Sequence, residues 1–142
     1  MDVATPEELK AILEKARTIA VVGISRDPEK PAHDVPRRMQ AHGYRIIPVN
    51  PAGGEILGEK VYPSLDDIPE ELVRQVDIVD IFRPSDQVGP HVEAAIRLHI
   101  PVVWLQLGIR NDQWAEKARQ AGLTVIQDTC IWVAYRTYVL GQ

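Results

Sequence analysis

Gly23 and Ser25 follow directly on an uninterrupted apolar run, Ile19-Ala20-Val21-Val22, and Arg26, Lys30 and His33 come soon after. A buried strand that breaks at a glycine and leads into a helix is the way α/β folds hold phosphate. The first free N–H groups and the positive end of the helix dipole converge on the anion. Arg26 and Lys30 supply charge of the right sign, and an arginine fork matches phosphate geometry. The segment therefore reads as a nucleotide-type binding loop formed by Gly23, Ile24, Ser25, Arg26 and Lys30. A plainer reading, a ligand-free turn with ordinary solvated charges, stands beside it.

What the loop lacks narrows the ligand. A P-loop needs a glycine before its lysine and Ser or Thr after it. Here Glu29 precedes Lys30 and Pro31 follows. The dinucleotide fingerprint wants three glycines, and Ser25 stands where the second belongs. It also wants an acid at the end of the next strand, to bind the ribose hydroxyl, and that place holds Asn50 and Pro51. An NAD(P)-type ligand is thereby disfavoured but not removed from consideration.

The remaining reactive side chains do not assemble into a catalytic pattern. His42, His91 and His99 are scattered, with no metal-ligand spacing. His33 reads as a residue of a helix N-terminus. Asp77 and Asp80 are three apart in a strand, which places them on opposite faces and makes them no carboxylate pair. Trp104 and Trp114 read as core, while Trp132 and the tyrosines near it fit either the core or a dimer face. Cys130 is the single cysteine, so there is no internal disulfide. A place at a helix N-terminus favours its thiolate. A mixed disulfide with a thiol ligand is one reading of it, and an inert buried cysteine is the other.

The elements that must position these residues alternate regularly. Thr5, Pro6, Glu7 and Glu8 read as a cap, an N1 proline and an acidic first turn, opening a helix to about Arg17. The spacing predicts strands at Thr18–Gly23, Tyr44–Val49, Val76–Phe82, Pro101–Leu107 and Leu123–Gln127. Between them fall helices starting near Ala32 to Asp34, at Leu65–Arg74, around Val88 to His99, and after a cap at Asp112. A last helix runs from about Thr129 to Val139. Val35, Met39 and His42 are expected on one face of the second helix. Glu55–Tyr62 has room for a short extended piece. Parallel strands joined by helices are right-handed crossovers. The expected fold is therefore α/β: a Rossmann-like, doubly wound parallel sheet of about five strands with helices on both faces, in a single domain spanning 1–142. Ligands of such sheets lie beyond the carboxyl ends of the strands. Those ends collect Gly23, Ser25, Asn50, Pro51, Phe82, Arg83, Pro84, Gln106, Gly108, Asp128 and Cys130 on one rim.

The 142 residues suffice for one domain with its own core. A net charge of −4 gives no global attraction to nucleic acid or to an anionic membrane, so neither is expected as a partner. The start, Met1 to Lys10, is polar and acidic and has no signal-peptide character, and no apolar run approaches a membrane span. A cytoplasmic protein is the expectation.

Six segments resemble the family of small CoA-binding proteins, and with them the N-terminal domain of the succinyl-CoA synthetase α-subunit. They are VVGISRDPEKPAH, GYRIIPVNP, YPSLDDIP, DIVDIFRPSDQV, VVWLQLGIRN and AGLTVIQDTC, in family order from about Thr18 to Cys130. The resemblance implies coenzyme A or an acyl-CoA as ligand. It puts Gly23 and Ser25 in the phosphate loop, Arg26 and Lys30 against phosphate charge, and Asn50 and Pro51 at the nucleotide-facing end of the second strand. Phe82, Arg83 and Pro84 fall where the family forms a wall for adenosine, with Val88 one turn into the next helix. Ala32 departs from a frequent serine, and Gln127-Asp128-Thr129 from a frequent arginine. The synthetases react through a histidine on a further domain that has no counterpart here, so the expected role is non-catalytic binding. A homodimer, a partner enzyme and a catalytic domain on a separate chain all stay open.

Overall fold

A computed structural model describes residues 4–142. The first three residues of the expected domain, part of the stretch with no signal-peptide character, lie outside the described residues. Helix α1 (Pro6–Lys15) opens on a full capping box: Thr5 accepts from the Glu8 N–H, and Glu8 accepts in return from the Thr5 N–H. It leads into β1 (Thr18–Val22), whose residues are all buried, as a strand covered on both faces requires. Helix α2 (Pro31–Ala41) and β2 (Arg45–Val49) follow. A small antiparallel ribbon, β3 (Glu55–Ile56) with β4 (Glu59–Lys60), realises the short extended piece.

The remaining order is α3 (Glu70–Val73), β5 (Ile78–Ile81), α4 (Gly89–Arg97), β6 (Val102–Leu105), α5 (Asp112–Gln120), β7 (Thr124–Ile126) and α6 (Ile131–Ala134). The main sheet runs β2-β1-β5-β6-β7 and is parallel throughout. Side chains of alternating strand residues feed two cores. Ala20, Val22, Val79, Ile81, Val103 and Leu105 pack on one face with α4 and α5. Ile19, Val21, Ile78, Trp104 and Ile126 pack on the other with α1, α2 and α6. This is the doubly wound α/β fold that the sequence predicts. The chain turns from winding outward towards β2 to winding the other way through β5, so the switch point lies between β1 and β5.

Several local expectations are corrected. The stretch expected as one helix over Leu65–Arg74 is a 3₁₀ turn (Leu65–Asp67) and a separate α3. Pro69 stands between them and cannot donate the helical hydrogen bond. Helix α5 is capped by Asn111, which accepts from the Trp114 N–H at 3.1 Å, and not by Asp112. His42 is exposed beyond the end of α2, while Val35 and Met39 are buried as expected. Trp104 is fully buried, but Trp114 is only half-buried, with its indole against Gly89 and the Lys117 ammonium over its ring. The last helix is short and widens into π-type turns at Tyr135–Val139. Trp132 and Tyr135 pack at the edge of the second core, against each other and against His42.

Candidate functional site

At the carboxyl end of β1 the backbone turns at Gly23 with φ +82°. A Cβ there would run into the carbonyl oxygen of Phe82, and the Arg83 side chain lies close by. Gly23 is thus required both for its left-handed backbone and for the close approach of the β1 and β5 ends. The loop that follows is pinned from three sides. The Gly23 N–H donates to the Val49 carbonyl at 3.0 Å, and the Ser25 N–H to the Ala32 carbonyl at 3.1 Å. The Asn50 amide donates to the Ile24 carbonyl at 2.8 Å and accepts from the Ala52 N–H at 2.8 Å. His33 Nδ1 lies 2.8 Å from the Ser25 carbonyl, and the Ser25 hydroxyl accepts from the Asp27 N–H at 3.0 Å. Asn50, Ser25 and His33 therefore hold the loop's shape.

The loop brings Lys30 to the N-cap of α2, where its side chain makes no capping bond. Pro31 has no N–H, and the Ala32 N–H finds no acceptor among the described residues. Neither Lys30 nor Arg26 forms an ion pair among those residues. A lysine at the positive end of a helix is electrostatically unfavourable on its own, and an anion would relieve it. Arg26 lies across the turn after β2, because Gly54 has no side chain to bar its guanidinium. Arg83 donates to Gln87, and its charge adds to burial in lowering the pKa of His91.

Between the start of α2 and the end of β5 lies an open cleft of about 330 Å³, lined by Lys30, Pro31, Ala32, Phe82, Arg83, Pro84 and Ile109. It sits over the β1/β5 switch point, where such sheets bind ligands. Of the residues read from sequence, Lys30, Phe82, Arg83 and Pro84 come together here, with Gly23, Ser25, Arg26, Asn50 and Pro51 on the adjoining loop and strand end. Ile24 and Val88 do not present side chains to the cleft. Both are fully buried and belong to the two cores. Gly108 follows β6, and half-buried Cys130 precedes α6, both further along the rim. Pro31, Ala32 and Ile109 line the cleft without any chemistry in their side chains to announce it. The expected opening of α2 near Ala32 was the one signal that could have placed the first two there.

A larger cavity, about 380 Å³, lies at the other end of the sheet beside Arg17, His42, Tyr44 and Tyr135. Neither the fold rule nor an open helix N-terminus points to it. Among the described residues no group of three or more His, Cys, Asp and Glu could hold a metal ion, and no helix is long and apolar enough to cross a membrane.

The family described as "CoA binding domain" matches residues 17–136. The uncharacterised protein YneT of Bacillus subtilis is 41% identical over 128 residues, covering 90% of this chain and 92% of its own. The Acetate–CoA ligase [ADP-forming] I subunit alpha of Pyrococcus furiosus is 30% identical over 135 residues, covering 84% of this chain but 28% of its own length. The chain thus spans under a third of that ligase subunit. A solved Thermus thermophilus structure superposes with TM-score 0.88 at 40% identity, covering 95% of this chain and 99% of that one. One from Pyrococcus horikoshii gives 0.90 at 35%, covering 98% and 95%.

Proposed function

The chain belongs to the CoA-binding domain family, and from that premise we propose that it binds coenzyme A or an acyl-CoA at the carboxyl rim of its sheet without catalysing a reaction itself. The observation that carries this reading is the uncapped start of α2, whose first-turn acid, Asp34, is taken up by Arg37 and Arg38. Lys30 and the open Ala32 N–H face a cleft at the switch point, with Arg83 on its opposite wall. The diphosphate would sit against these groups and the Gly23–Ser25 loop, where N–H donors and cations both favour negative charge. Arg26 is placed to meet further phosphate charge over the Gly54 turn. Phe82 and Pro84 offer apolar surface for the rest of the nucleotide, while Asn50 and Pro51 close the site on the β2 side.

An NAD(P)-type ligand fits less well. The place of the ribose-binding acid is taken by Asn50, and its amide is already bonded on both atoms to the loop backbone. The likeness to a CoA ligase subunit favours a related role, in which this chain holds CoA for a catalytic domain on another chain.

Isothermal titration with CoA, and with NAD as the control, tests the reading. Saturable CoA binding that weakens about tenfold in Lys30→Ala, as expected for one lost charge-assisted contact, supports it. Heat from NAD with none from CoA would overturn it.

A further inference from the structure

We infer that Gln106 is a further binding residue of the site, donating from its side-chain amide to a ring nitrogen of the base that lies on Phe82. This rests on the CoA reading above and deepens it. Gln106 is 4% exposed, although it follows β6 where the chain turns at the rim of the sheet. Burying an amide is costly unless its polar atoms are hydrogen-bonded. Only one end of this amide is.

The bonded end is the carbonyl. Gln106 Oε1 accepts from the Ile131 N–H at 2.9 Å, which satisfies the start of α6 and fixes which way round the amide sits. The NH2 group is therefore turned away from that N–H, and it donates to no described residue. It is not sealed in the core as Asp80 Oδ1 is, because the Gln106 nitrogen reaches the molecular surface. Holding α6 requires only an acceptor, so that task leaves the donor half of the side chain without a role.

Backbone pairing puts this residue next to the cleft. Ile81 is in register with Leu105, and the Gln106 N–H continues the ladder by donating to the Ile81 carbonyl at 3.3 Å. Gln106 is thereby set beside Phe82 on the adjacent strand, about 4.8 Å away in the pairing direction. Both side chains leave the sheet on the same face. Phe82 packs against the second core, and Ile131, the partner of Gln106, belongs to that core. Phe82 also supplies the aromatic ring of the cleft lining. A purine laid on that ring carries its acceptors around its edge, so a donor on the neighbouring strand is placed to meet them. Amide donation to a purine ring nitrogen is an established pairing of side chain and base. The diphosphate at the start of α2 separates the nucleoside from the pantetheine arm, so a donor adjoining Phe82 serves the nucleoside half.

The test compares the unaltered full chain with Gln106→Glu and Gln106→Met by isothermal titration with CoA, adenosine 3′,5′-bisphosphate and 4′-phosphopantetheine. Gln106→Glu keeps an acceptor for the Ile131 N–H, and Gln106→Met removes the donor without adding charge. In both, CoA and the bisphosphate are expected to bind about tenfold more weakly, as for one lost hydrogen bond, while phosphopantetheine stays within twofold. An equal loss for all three ligands marks a general disturbance of the rim and overturns the inference, as does an unchanged affinity for CoA. Should the variants fail to fold, nitrogen-15 spectra of the unaltered protein decide. The Gln106 side-chain NH2 signals should move with CoA and with the bisphosphate but not with phosphopantetheine. Signals that stay in place with CoA, or that follow phosphopantetheine, overturn the inference. If CoA does not bind the unaltered protein at all, the CoA reading has failed and this inference falls with it.

Discussion

Asp80 is the residue whose chemistry is least like its surroundings. It is 1% exposed, in register with Val21 on one side and Trp104 on the other, and its Oδ1 has no hydrogen-bond partner. Burial alone pushes its carboxyl well above the ordinary carboxylate range. In the unfolded chain the same group ionises near pH 4. Below that pH both states hold the proton and the residue makes no pH-dependent difference. As pH rises past it, the unfolded state ionises first, and stability falls until the folded-state pKa is reached. Asp34 and Asp66 act in the opposite sense. Arginines bonded to their carboxyls hold both low, so their contributions are present at neutral pH and lost on acidification. Asp80→Asn separates the effects, because only the Asp80 contribution is removed. Urea unfolding of both proteins should show the variant's relative stability climbing above pH 4, by up to about 1.4 kcal/mol per pH unit. A difference that is flat between pH 4 and 7 would mean that Asp80 ionises normally in the folded protein. The sequence reading placed Asp80 off any carboxylate pair, but a lone acid in a strand carries no mark of which core will enclose it.

At the scale of elements, the β1–α2 connection works because β2 holds it from the side. Asn50 bridges the Ile24 carbonyl and the Ala52 N–H, tying the Gly23–Ser25 loop to the turn after β2. Asn50→Ala leaves both groups without these partners and should cost about 1–3 kcal/mol in denaturant unfolding. CoA affinity should fall as well, because the loop would have to be ordered on binding. An unchanged affinity alongside the loss of stability would show that the loop keeps its shape without this tie. The position of Asn50 at a strand end was legible in the sequence, but its task was not. A strand-end asparagine looks the same whether it faces a ligand or a carbonyl. The five main strands were legible because continuous apolar runs such as Ile19–Val22 and Val102–Leu105 have few other fates. Thr5 and Glu8 announced the first helix through the spacing of their capping box. Boundaries set by competition between neighbours were less so. Asn111 and Asp112 are both good caps, and tertiary bonds decided for the first. The Asn111 side-chain amide also donates to the Ser85 carbonyl at 2.9 Å, and its backbone N–H donates to the Gln127 side-chain carbonyl at 2.7 Å. Likewise Ile24 and Val88 were read as site residues, but the direction of a side chain in a loop or at a helix cap is fixed only once the chain is folded, and both turn into the core.

Across the whole molecule, the sheet separates two ends with different duties. The carboxyl end carries the glycine turn, the open start of α2 and the cleft. The amino end carries Tyr44, whose hydroxyl donates to the Leu13 carbonyl and whose ring meets Tyr135 edge-on, tying β2 and the C-terminal segment to α1. Burial raises the Tyr44 hydroxyl to a pKa of about 12, so it stays a donor throughout the neutral range. The larger of the two cavities lies at this end, yet the glycine turn and the uncapped helix start belong wholly to the other. Tyr44→Phe distinguishes the two. It removes one buried hydrogen bond, keeps the ring, and leaves the Leu13 carbonyl without this donor. That should lower stability by about 1–3 kcal/mol while CoA affinity, measured where the variant is fully folded, stays within twofold of the unaltered protein. A large loss of affinity in this variant would place the ligand, or a strong coupling to it, at the amino end and would contradict a site at the β1/β5 switch point. The same titration on Lys30→Ala should show the reverse, with affinity lost and the unfolding midpoint little changed or raised, since a cation at a helix N-terminus is itself destabilising.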